Sequence, residues 1–273
     1  MLGSKKSGLF AQKLIPRTER PLMTLANDLL SIGSVSYYFA GSIGGASDRW
    51  QTKIFLHNYF PLLADALFPA EWEVRLYGAE GQLLWCQSGE MTGAPATVVL
   101  DTATIPGLDT YGVVFVHIKG HPKEMVFKEQ YASVFFTEYY VPGTQKKILA
   151  HSLGGSLKAT HYAYHATSTS WVTPPGFRPY LFLANGCDFQ DWCHPRCAQA
   201  RVTFINDKNQ KAVITVPPFG KRACQQIDLF AREPKLQAHL GDRPYQIEVD
   251  GDNILPKPYL FETNGTHVFA EHL

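Results

Sequence analysis

The feature that most constrains this chain is an order of strand-like runs that occurs twice. The runs "TKIFLHN", "WEVRLYG", "ATVVLDT", "YGVVFVHI" and "ASVFFTEYY" are followed by "RPYLFLAN", "ARVTFIN", "KAVITVP", "RACQQIDLF", "YQIEVDG" and "THVFAEHL". They are rich in β-branched and aromatic residues, with Gly, Asn, Asp and Pro between them, which is the pattern of antiparallel β structure. "YYFAGS" (37–42) matches "YAYHAT" (162–167), "IFLHN" (54–58) matches "LFLAN" (181–185), and "EVRLYGAEGQLLW" (73–85) matches "ARVTFINDKNQKA" (200–212). "VFFTEYY" is set against "HVFAEHL", aligning Glu138 with Glu271. A period this long means a duplicated domain and not a solenoid.

"YGAEGQ" and "INDKNQ" place turn-forming residues between two strands, as a tight hairpin requires. The alternation of "AVITVPP" lets one face pack inward while the other meets water. The expectation is an all-β chain of two tandem immunoglobulin-like antiparallel β-sandwich domains from an internal duplication. An N-terminal arm covers 1–28, the first sandwich 29–145 and the second 146–273.

The run "LFLANG…AQARVTFINDKNQ…AVITVPPFGKRACQQIDLF…YQIEVDGDNILPKPYLFE" resembles the small β-sandwich family of the cyanobacterial sensory rhodopsin transducer. The shared features are a strand ending in Asn, a hairpin with acidic turn residues, a "TVP"-like strand and a late strand interrupted by Pro. The resemblance implies a non-enzymatic sandwich that binds proteins or small molecules and tends to oligomerise. It carries over no ligand residues.

The chain has 273 residues, 45% of them hydrophobic, enough for two domains with their own cores. A formal charge of +1 offers no basic stripe for phosphate, so no nucleic acid partner is expected. No apolar run reaches the length of a membrane span, and the N-terminal stretch lacks the apolar core of a signal peptide. The five cysteines, an odd number, argue against an extracellular disulfide framework, and a cytoplasmic protein is expected.

"AHSLGG" imitates the serine turn of an α/β-hydrolase, with Ser152 as nucleophile, Asp250 or Asp252 as acid and His267 as base. Only 34 residues separate His117 from Ser152, too few for the crossovers that fold threads there. The sequence after Ser152 alternates as a strand does, so an interdomain turn explains the motif better. "CDFQDWCHPRC" offers Cys187, Cys193, His194 and Cys197 as soft ligands for zinc, without a CxxC pair; the alternative is a set of cysteines in an aromatic loop. The same loop, with Trp192, differs from its counterpart in the first copy, as specificity loops do.

His161 and His165 share one strand face, and so do His267 and Glu271. Were the two strands neighbours, these four would form a metal site or an acid/base cluster; the plainer reading is a polar outward face. Tyr162, Tyr164 and the aromatics near Tyr37 and Phe135 divide between the cores and a second surface, the seam between copies or an oligomer interface. The functional expectation is a binding protein without catalytic residues. It recognises a partner protein or a small ligand, carbohydrate included, through His161, Tyr162, Tyr164, His165, Trp192, His267 and Glu271. An enzyme using the His/Glu cluster or Ser152 is the competing reading, and the sequence names no cofactor.

Overall fold

The computed structural model describes residues 31–43, 47–57, 70–91, 97–120, 135–151, 153–154, 163–185, 197–241, 243–252, 257–264 and 267–272. The strands of the N-terminal half are β1 (Ser31–Ser42), β2 (Arg49–His57), β3 (Ala70–Gly78), β4 (Leu83–Met91), β5 (Thr97–Asp101), β6 (Thr110–Gly120), β7 (Phe135–Tyr140), β8 (Lys147–His151) and β9 (Leu153–Gly154). Those of the C-terminal half are β10 (Ala163–Trp171), β11 (Arg178–Ala184), β12 (Ala198–Ile205), β13 (Lys211–Phe219), β14 (Cys224–Asp228), β15 (Tyr245–Asp252), β16 (Tyr259–Thr263) and β17 (Val268–His272). Two short helices, α1 (Leu229–Arg232) and α2 (Leu236–Leu240), lie between β14 and β15. All the sheets are antiparallel, and no helix of the described residues is long and apolar enough to cross a membrane.

In the N-terminal half β1 pairs with β2 only at Gly41↔Trp50 and Ser42↔Arg49, so one continuous sheet folds into two leaves. Leaf I has the order β4-β3-β6-β1, with β9 added to β1, and leaf II has the order β5-β2-β7-β8. The C-terminal half has sheet III, β13-β12-β15-β10, and sheet IV, β14-β11-β16-β17. Taken in chain order, the strands of the two halves occupy the same places, β1 to β8 in one and β10 to β17 in the other.

The hairpins repeat in detail as well. The Gly78 N–H donates to Gln82 O at 2.9 Å and the Gly81 N–H to Gly78 O at 2.9 Å; Asn206 and Gln210, then Asn209 and Asn206, do the same at 3.1 and 2.9 Å. Gly81 (φ 84°) and Asn209 (φ 59°) supply the left-handed residue each turn needs.

Three of the sequence alignments shift once pairing is known. By sheet position β7 corresponds to β16, and β8 to β17, so Glu138 and Glu271 stand on non-equivalent strands. Carried through the paired registers, Tyr77 corresponds to Ile205, Gly112 to Tyr245 and Tyr38 to Trp171, where the sequence matches set Tyr77 against Phe204 and Tyr38 against Ala163. Beyond residue 145, where the sequence divides the domains, β8 still pairs with β7 and β9 with β1, both in the N-terminal half.

Alternating side chains form three apolar layers. Tyr38, Ile54, Leu56, Val74, Val114 and Phe135 fill the space between leaves I and II. Leu181, Leu183, Val202, Phe204, Ile247 and Val249 do so between sheets III and IV, with Leu229, Leu236 and Leu240 of α1 and α2 closing that core. The third layer joins the halves: Tyr37, Phe39 and Phe115 of leaf I meet Tyr180, Phe182, Tyr259 and Phe261 of sheet IV. Phe182 lies edge-on to Phe39 and Phe261, with centroids 5.0 and 5.1 Å apart, a favoured aromatic geometry. The Tyr37 hydroxyl donates to Phe182 O at 3.2 Å, and the Cys224 N–H donates to Ala79 O at 2.8 Å. The layers therefore stack II, I, IV, III, and the outer face of sheet III has no sheet over it among the described residues.

Candidate functional site

On sheet III the paired registers align His165 with Asp250, Asp250 with Arg201, and Arg201 with Thr215, one row across four strands. Burial alternates along β12 and β13: Ala200 and Val202 point into the core, while Gln199 and Arg201 are exposed, as are Thr215 and Pro217 opposite them. The row and its neighbours Gln199, Pro217, Pro218 and Asp252 line an open groove of about 630 Å³.

Within the groove the carboxylates are engaged. His165 Nδ1 lies 2.5 Å from Asp250 Oδ1, the two side chains being 66% and 52% exposed, so solvent screens the pair strongly. Gln199 Nε2 donates to Asp252 Oδ2 at 2.9 Å. Arg201 makes no hydrogen bond or ion pair among the described residues.

Leaf I carries a groove at the equivalent place. Its row is His117, Glu73 and Ser88, where sheet III has Asp250, Arg201 and Thr215, and Glu71 and Glu90 flank it in a volume of about 450 Å³. Here the cation is satisfied locally, because Arg75 donates Nε and Nη2 to the two oxygens of Glu73 at 2.9 and 3.0 Å. The Cys86 thiol lies 3.5 Å from Glu73 Oε1; burial and that carboxylate both push its pKa up, which opposes thiolate formation.

Of the residues expected to bind ligand, His165 is in the sheet III groove. Tyr164 and Glu271 are on β10 and β17, and His267 is exposed, its N–H donating to Asn264 Oδ1 at 2.8 Å. His161, Tyr162 and Trp192 lie outside the described residues, as do Cys187, Cys193 and His194 of the zinc reading; Cys197 is exposed beside β12. The His/Glu cluster required β10 and β17 to be neighbours, yet β10 pairs with β15 in sheet III and β17 with β16 in sheet IV. Among the described residues no group of three or more His, Cys, Asp or Glu side chains is arranged to hold a metal ion.

Ser152 lies outside the described residues. Strand flanks it on both sides, where a hydrolase elbow turns into a helix: β8 ends at His151, and Leu153 pairs with Val35. Its supposed acids, Asp250 and Asp252, are on sheet III, whereas His267 leads into β17 of sheet IV.

Sequence reasoning reached His165 through its spacing from His161 but missed Arg201, Gln199 and Thr215. The alternation of "AQARVTFI" marks Gln199 and Arg201 as outward. What brings them beside Asp250 is strand register, which one strand's sequence does not carry.

Comparison with known proteins adds no assignment: no protein-family model matches the chain, and no curated protein matches it significantly.

Proposed function

We propose that this chain is a duplicated, non-catalytic binding protein of two immunoglobulin-like sandwiches, and that the outer face of sheet III takes a small polar ligand, a saccharide. The cytoplasmic setting and the kinship with the sensory rhodopsin transducer family belong to the same proposal. The observation that carries it is the cross-strand row of His165, Asp250, Arg201 and Thr215 lining an open groove. Its alternating donors and acceptors suit hydroxyl groups. Binding is favoured over nucleophilic catalysis because Thr215 stands three strand spacings from His165, about 14 Å at the usual separation, beyond reach of the imidazole.

A panel of immobilised neutral and acidic oligosaccharides, probed with wild type and with the Gln199→Ala/Asp252→Ala variant, tests the reading. The expected result is retention on part of the panel and at least a tenfold loss in the variant. No retention anywhere, or equal retention by both proteins, would oppose it.

A second reading, docking of a partner protein, is favoured by leaf II. Its outer face exposes Val99 (50%) and Leu149 (69%) beside half-buried Phe55 and Phe136. Concentration-dependent sedimentation that Leu149→Lys abolishes would support association through that face.

A further inference from the structure

We infer that the ligand of the sheet III groove is a saccharide bearing a carboxylate, and that Arg201 is its anchor; this rests on the binding reading above. Asp250 is taken by His165 and Asp252 by Gln199, at 2.5 and 2.9 Å, so both acids of the groove already have a donor. Arg201 lies in register with Asp250 on one side and Thr215 on the other, yet its guanidinium has no partner among the described residues. It thus keeps its five N–H donors in the planar fork that matches a carboxylate bidentately.

The magnitude of the ligand's charge follows from the neighbours. A phosphate dianion placed on Arg201 would meet two nearby carboxylates, whereas one carboxylate balances the one uncommitted cation. Around that anchor, the Gln199 carbonyl and the Thr215 hydroxyl offer partners for sugar hydroxyls. Pro217 and Pro218 add exposed apolar surface for the C–H face of a ring. The equivalent groove of leaf I has Glu73 where Arg201 stands, already bridged to Arg75, so the anion preference belongs to the C-terminal half alone.

The test is calorimetric titration of the full chain with trigalacturonate and with its methyl ester, which keeps the sugar and removes the charge. The expected result is that the acid binds at least tenfold more tightly than the ester, that Arg201→Gln removes this difference, and that added salt weakens only the acid. Equal affinity for acid and ester, or an Arg201→Gln variant that still prefers the acid, overturns the inference. A neutral oligosaccharide bound independently of Arg201 overturns it while leaving the binding reading intact; the absence of binding by any saccharide overturns both. A hexaglutamate peptide binding in place of the uronate would also overturn it, by moving the ligand class to protein. Because Arg201 is exposed, its substitution leaves the fold in place, and an unchanged thermal midpoint checks this.

Discussion

At the scale of single residues, the most consequential buried group is Glu262 on β16, 1% exposed and bonded to the Thr173 hydroxyl at 2.5 Å. Burial raises its pKa above the ordinary 4.5, and the Thr173 hydrogen bond offsets this only in part. A carboxyl raised in the folded state is protonated in both states below its unfolded pKa. Stability is then lost as pH rises through the folded value, where the unfolded chain releases the proton more readily. Glu262→Gln is therefore expected to gain stability relative to wild type as pH rises above about 4.5, with the gap closing below it. Urea midpoints of both proteins across pH 4 to 8 check the sign; a gap that widens towards low pH would contradict it. Gly81 is constrained differently, since a Cβ there would lie 2.5 Å from the Lys221 carbonyl oxygen at φ +84°. Gly81→Ala should cost about 1–3 kcal/mol, read from thermal unfolding. Asn209, at φ 59° in the corresponding turn, should accept Gly with a gain of under about 1 kcal/mol.

At the scale of elements, what the sequence makes legible is whatever a local rule enforces. The β3–β4 and β12–β13 hairpins are readable because each turn needs a left-handed residue, and Gly81 and Asn209 announce it. The burial alternation of β2, β7 and β12 is likewise written in the residue order. Register is not. Setting Tyr38 against Ala163 in place of Trp171 is a slip of eight residues across the register shift between Ser168 and Trp171, a bulge that reverses the inward and outward faces and that residue order does not announce. Matching β7 to β17 fails for a related reason: "FFTEYY" and "VFAEH" share an alternation, and only hydrogen bonding reveals that β16 holds the equivalent place. The same limit hides the candidate site. Arg201, Asp250 and His165 come from strands widely separated in sequence, and none of the three is unusual within its own strand. The His/Glu cluster looked sharper only because its residues were close in sequence or shared a strand face.

For the whole molecule, the aromatic seam decides which surfaces remain for function. Leaf I and sheet IV cover part of their outer faces with each other through Phe39, Tyr37, Phe182 and Phe261, leaving the Glu73 groove of leaf I open. Removing the Phe182 ring should cost about 3–5 kcal/mol, as for other buried aromatics. Because the seam belongs to both halves, wild type is expected to unfold in one transition, and Phe39→Ala/Phe182→Ala in two; calorimetric scans distinguish them. The duplication thus yields two faces of contrasting character: an apolar one on leaf II around Leu149, and a polar one on sheet III around Arg201. The most direct test of the central claim, that sheet III carries the ligand, is hydrogen–deuterium exchange of the full chain with and without trigalacturonate. Slowed exchange is expected in the peptides that carry β12, β13 and β15, abolished by Arg201→Gln, with leaf II unchanged. Protection confined to leaf II, or none at saturating ligand, would contradict it.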